Sequence, residues 1–175
     1  MINIPSGIQT FDFDCGAKAL QLIMAYYGIE KREDELISDL KSDKDGTSIE
    51  NMISVATDNG FEVTAKTGVS LETVKQYIQK NIPIIVLLQA WAERYMTLEN
   101  WESDWDDGHY AIVIGYQDNI VIFEDPSSFR RTWLKEDEFI ARWHDVNSRT
   151  GEKYNQFAMV LLGKEPVNKV VEHMD

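Results

Sequence analysis

The chain has little cysteine, little proline, an excess of negative over positive charge, and no long hydrophobic run. Among its 175 residues there is a single cysteine, Cys15. One thiol excludes an intramolecular disulfide and any zinc site built on several thiolates. It also fits a reducing compartment better than an oxidising one. Only 17 residues are Lys or Arg against 30 Asp or Glu, a formal net charge of −13. Phosphate backbones are held by clustered basic residues, so a nucleic-acid partner is not expected. The longest apolar stretch, Ile82 to Ala90, contains Pro83 and is too short to span a bilayer. No stable membrane insertion is expected. The start, MINIPSGIQTFDFDCG, lacks the basic and then apolar pattern of a secretory signal. These absences leave a cytoplasmic globular domain, and 43% hydrophobic residues are enough for its core.

What is present divides into two halves. Asp14 can cap a helix from Cys15 to about Tyr27, with Leu20, Ile23, Met24 and Tyr27 on one face and Gly28 as the stop. A second helix is expected over Arg32–Leu40. A third, capped by Thr47 or Ser48, carries Ile49, Met52, Ile53 and Ala56 and stops at Gly60. Phe61–Lys66 alternates as a strand, and Ser70 opens another helix that ends before Pro83. The C-terminal half reads as sheet. Pro83–Gln89 is a buried strand, and His109–Tyr116 with Ile120–Asp125 forms a hairpin about Gln117-Asp118-Asn119. Arg130–Leu134 is a short strand, Lys135–Trp143 a helix and Gln156–Gly163 the last strand. The expected class is α+β, with N-terminal helices packed on a mostly antiparallel C-terminal sheet. Residues 1–165 form one domain, and 166–175 are a charged tail. The connection from Trp91 to Gly108 is long for such a domain. It carries three tryptophans and six acids against one arginine.

Chemistry concentrates at few positions. Cys15 opens a helix, where unpaired N–H groups and a partial positive charge favour a thiolate. The competing role, a small buried hydrophobe, has about equal weight on position alone. His109 begins a strand after the long loop and can act as a general base toward a thiol. Folding the hairpin at residue 117 sets Asp125 opposite His109, where a carboxylate orients an imidazole. Glu124 should face the other way. Gln9, six residues upstream of Cys15, can reach over the helix start and bind an oxyanion together with the Cys15 N–H. Gly16 and Gly108 leave room for a substrate backbone, and Trp101 and Trp105 can wall the cleft. No metal site is expected: His109, His144, His173 and Cys15 share no ligand spacing. Asp43-Lys44-Asp45-Gly46 lacks the first acid (Lys41) and the closing Glu (Met52) of a calcium loop.

The segments QTFDFDCGA (9–17), GHYAIVIGY (108–116) and IFEDP (122–126) resemble one known family. It is the papain-like peptidase domain of bacteriocin-exporting ABC transporters, the double-glycine leader peptidases, or thirty-ninth cysteine-peptidase family. Asp45-Gly46-Thr47, Gly60-Phe61-Glu62 and EFIARWHD (138–145) add to the resemblance, the last toward the stand-alone branch. It spans roughly residues 5–163. The resemblance implies a papain-like fold and a cysteine peptidase with Cys15 as nucleophile, His109 as base, Asp125 as orienting acid and Gln9 as oxyanion donor. It implies a peptide or protein substrate, cut after a Gly-Gly leader in the transporter branch, and no cofactor. The chain departs from that branch in having no membrane spans and no Walker-type loop. Two other functions use the same residues: a catalytically silent peptide-binding module, and a cysteine amidase or acyltransferase.

Overall fold

Polarity and spacing before Gly60 produce three helices in the computed structural model, which describes residues 1–167. They are α1 (Cys15–Tyr26), α2 (Glu33–Asp39) and α3 (Ile49–Asp58). Ser48 caps α3 by accepting the Asn51 N–H at 3.2 Å, which satisfies a donor the helix itself cannot. Then follow β1 (Glu62–Lys66), α4 (Leu71–Gln79), β2 (Ile84–Gln89), α5 (Leu98–Ser103), β3 (Gly108–Gln117), β4 (Ile120–Glu124) and β5 (Thr132–Lys135). The chain continues through α6 (Glu136–Arg142), β6 (His144–Val146), β7 (Lys153–Asn155) and β8 (Ala158–Leu162). The expected tail begins in order: the Val167 N–H donates to Tyr26 O at 3.0 Å. The rest of that tail, residues 168–175 with His173, lies outside the described residues.

Six strands form one antiparallel sheet in the order β1-β8-β2-β3-β4-β5. Every residue of β2 is buried, because helices cover both faces of the sheet at its centre. On one face Ile85, Leu87, Tyr110, Ile112 and Met159 pack with Leu20, Ile23 and Met24 of α1 and Met52 of α3. On the other, Ile84, Val86, Val113 and Phe123 pack with Val74 of α4 and with Phe139 and Trp143 at α6. The helices of the first half thus lie on the sheet as expected. The sheet also recruits β1 from that half, beside the last strand, and takes α4 and α6 on its opposite face.

The hairpin of β3 and β4 differs from its expected form. Its turn is Asp118-Asn119 alone, both with positive φ (50° and 63°), the left-handed pair that a two-residue turn requires. Gln117 pairs with Ile120, and a register shift between Val113 and Gly115 brings Ile112 opposite Glu124. Asp125 therefore follows across from Ala111, not His109.

Candidate active site

α1 begins at Cys15, and its docking is set by the next residue. A Cβ at Gly16 would lie 2.8 Å from Thr47 Cβ and 3.0 Å from Tyr110 Cδ2. Gly16 therefore lets the helix start sit hard against β3 and the 43–48 loop; it is buried, outside the cleft. The Tyr110 hydroxyl donates to Thr47 O at 2.9 Å and ties that loop to the strand. Asp14 stands at the N-cap position, but its side chain makes no cap bond. It accepts the N–H groups of Thr10 and Phe11 instead. The first N–H groups of α1 are thus left without a side-chain partner, beside the half-buried Cys15.

His109 Nε2 and Asp125 Oδ1 lie 2.8 Å apart, and both residues are buried. The displaced register makes Asp125 a diagonal neighbour of His109, still within reach of two side chains. Asp125 is itself fixed by the Ser127 N–H at 2.9 Å and the Thr132 hydroxyl at 3.2 Å. Glu124 turns away, as expected, to the Ser6 hydroxyl and Arg131. Burial alone lowers the His109 pKa. The hydrogen bond to Asp125, then the hydrogen bond and charge of Cys15, outweigh it and bring the ring to about 9. Burial likewise raises Asp125, but the His109 bond and charge prevail and hold it below the usual carboxylate range. The ring is therefore an imidazolium at neutral pH, with Nε2 on Asp125 and Nδ1 left for Cys15.

Gln9 is half-buried beside this pair. Its N–H donates to Pro126 O at 2.8 Å, its Oε1 accepts from Ser127 Oγ at 2.9 Å, and its Nε2 donates to Phe11 O at 2.7 Å. One N–H of that amide is occupied and the other is left over.

Cys15 opens onto a cleft of about 520 Å³ whose walls include Phe13, Thr47, Trp105, Gly108, Asp145 and Tyr154. Trp105 lies between His144 (ring centroids 4.5 Å apart) and Lys153 (Nζ 4.2 Å from the ring centre). Trp101 is absent from the cleft: it is buried, with the Arg142 guanidinium 3.9 Å over its ring. The reason is α5, which the long connection forms with a Thr97–Asn100 capping box and which packs on α6. Arg94 ties the end of that connection down through Asp104 at 2.6 Å and Asp107 at 2.9 Å.

Two site residues carry no obvious sequence signal. Gln89 is fully buried and donates to His144 O and Asp145 Oδ1 while accepting the Asp107 N–H. Asp145 thereby sits against Gly108, where a Cβ would overlap both carboxylate oxygens. Its burial raises the carboxyl to about 6. Among the described residues, no group of three or more His, Cys, Asp or Glu is placed to hold a metal ion, and no helix is long and apolar enough to cross a membrane.

The profile of the Peptidase C39 family matches residues 4–147. The chain belongs to that family. A search of curated proteins found no match. Among solved structures, the chain is similar to the peptidase domain of Streptococcus ComA, a bifunctional ABC transporter involved in quorum sensing. The identity is 24%, the TM-score 0.66, and the match covers 92% of this chain and 98% of that one. It is similar to a double-glycine-motif protease from an AMS/PCAT transporter, solved with its leader peptide (17%, 0.64, 91% and 91%). It is also similar to a C39-like protein from Bacillus anthracis (15%, 0.68, 93% and 96%). These likenesses establish the papain-like C39 fold, and the family is one of cysteine peptidases.

Proposed function

We propose that this C39 chain is an active cysteine peptidase working through Cys15, His109, Asp125 and Gln9. The observation that carries this is the buried His109–Asp125 contact beside Cys15, with the sulfur facing an open cleft. In this scheme the proton of Cys15 already rests on His109, and the sulfur attacks the carbonyl carbon of a peptide bond. The oxyanion is held by the Cys15 N–H and the remaining N–H of the Gln9 amide. His109, as imidazolium, protonates the leaving amine, and the C–N bond breaks. Water, deprotonated by His109, then attacks the thioester, and the acid product departs. Asp125 fixes the ring so that Nδ1 faces the sulfur and favours its charged form.

The substrate is a peptide entering between Trp105 and the 43–48 loop. Glycine beside the scissile bond suits this cleft, because Asp145 already fills the space over Gly108 and a bare backbone approaches more closely than a side chain. The likeness to a protease solved with a double-glycine leader supports this choice. A single free thiol as nucleophile suits a reducing, cytoplasmic setting. The test is incubation of the protein with a peptide library containing Gly-Gly sequences, with cut sites read by mass spectrometry. The wild type should cut on the carboxyl side of Gly-Gly. Cys15→Ala should leave every peptide intact while keeping the thermal transition of the wild type. Cleavage by that variant would disprove the assignment.

A further inference from the structure

Asp14 immediately precedes the nucleophile, is fully buried, and its side chain caps nothing on its own helix. Its Oδ2 accepts the Thr10 N–H at 3.3 Å and its Oδ1 the Phe11 N–H at 3.2 Å. Glu33, the first residue of α2, meets the same turn. Its Oε1 accepts the Thr10 N–H at 3.3 Å and its Oε2 the Thr10 hydroxyl at 2.9 Å. Lys18, buried one turn into α1, puts its Nζ 2.9 Å from Glu33 Oε2 and donates to Gln21 at 2.8 Å. Lys18 and Asp14 are thus taken out of water, and Glu33 partly so, behind Cys15.

Taking these charges from water is unfavourable, and apolar side chains of similar volume usually stabilise a fold as well or better. The network also spends no bond on the free end of α1. Its bonds converge on Thr10 and Phe11, and these two residues carry Gln9: the Gln9 amide donates to Phe11 O at 2.7 Å. The outer side of Gln9 is anchored to Pro126 and Ser127, next to Asp125.

We infer that Lys18, Glu33 and Asp14 form a positioning network that sets the Thr10–Phe11 turn and thereby aims the Gln9 amide over the start of α1. This rests on Gln9 being the oxyanion donor. The network touches neither substrate nor sulfur, and its effect reaches the reaction only through Gln9. An alteration in it should weaken binding of an oxyanion without changing the reactivity of the thiol.

Two probes separate these properties. Iodoacetamide alkylates Cys15 without forming an oxyanion. A peptide aldehyde ending in glycyl-glycinal adds the sulfur to its carbonyl carbon, and the resulting oxygen occupies the oxyanion position. Gln9→Ala should weaken aldehyde inhibition by about 100-fold and change the alkylation rate less than about twofold. Asp14→Asn and the less buried Glu33→Gln should each weaken the aldehyde by about tenfold, again with alkylation within about twofold. In a Gln9→Ala background the same two changes should add less than about twofold. Retention of the wild-type thermal transition confirms that each variant is folded. If Asp14→Asn and Glu33→Gln weaken the aldehyde equally with and without Gln9, or leave it unchanged where Gln9→Ala does not, the positioning role is overturned. If Gln9→Ala itself leaves the aldehyde unaffected, the assignment of Gln9 fails, and the network's proposed output fails with it.

Discussion

His109 Nε2 meets Asp125 Oδ1 at 2.8 Å across strands whose register does not set the two residues opposite each other. The contact is buried, and together with Cys15 it outweighs burial and brings the imidazole pKa to about 9. If His109 is the acid that releases the leaving amine, kcat/KM should fall on the alkaline side with a midpoint near 9. Asp125→Asn removes the carboxylate whose hydrogen bond most raises the ring. Its titration, followed by NMR of the histidine ring, should move down toward the ordinary value of about 6.5. Peptide cleavage should drop by about 100-fold or more as orientation is lost. A variant ring still titrating near 9 would remove Asp125 as the cause.

The order of the candidate site along the chain was legible because each residue stands next to a local signal. Cys15 follows a helix-start pattern, His109 opens a strand, and Asp125 precedes Pro126. Ser48 and Ser70 were readable as caps for the same reason, and both accept the expected N–H. The hairpin register was not legible. The irregularity between Val113 and Gly115 exists only in the pairing of two strands, and the turn excludes Gln117, which the residue types alone do not dictate. Asp14 was misjudged as a cap because aspartate accepts from whichever N–H groups approach it, and here the upstream turn supplies them. Gln89 and Asp145 are far apart in sequence and meet only through the short pair β6 and β7, whose three-residue strands leave no periodicity to read.

Gly108 faces a carboxylate that leaves it no room to grow. Gly108→Ala places a methyl group on the Asp145 oxygens, which Gln89 holds in place. Relief requires Asp145 to move and its bond to Gln89 to break. The expected loss is about 1–3 kcal/mol of stability, measured by chemical denaturation. Gly108→Ala combined with Asp145→Ala should recover part of that loss, since the second change empties the space. Equal or greater loss in the double variant would show that Asp145 is not the obstacle.

Asp145 also predicts a dependence of stability on pH. Burial is the main cause of its raised pKa, about 6 against 3.8 for the free side chain. A carboxyl raised on folding contributes its stability fully below pH 3.8 and loses it as pH rises through 6. At pH 8 the ionised group therefore destabilises the fold. Asp145→Asn keeps an oxygen for Gln89 and removes the charge. It should gain about 1–3 kcal/mol at pH 8 and almost nothing at pH 4, as read from denaturation midpoints at both values. A gain independent of pH would mean that packing, not ionisation, sets the difference.

Trp101 and Trp105, two of the three tryptophans of the long connection, should separate by function. Trp101 is buried under Arg142 and holds α5 to α6, so its removal opens a cavity in a packed interface. Trp101→Ala should lower stability by about 3–5 kcal/mol, with KM for a Gly-Gly peptide unchanged under conditions where the variant is folded. Trp105 faces the cleft from its place between His144 and Lys153 and has less to lose from the core. Trp105→Ala should raise KM severalfold and shift the thermal transition little, because an aromatic wall contributes to peptide binding more than to folding. The same pair of measurements on both variants decides the point. If Trp101→Ala raises KM while Trp105→Ala does not, the cleft wall has been placed on the wrong residue.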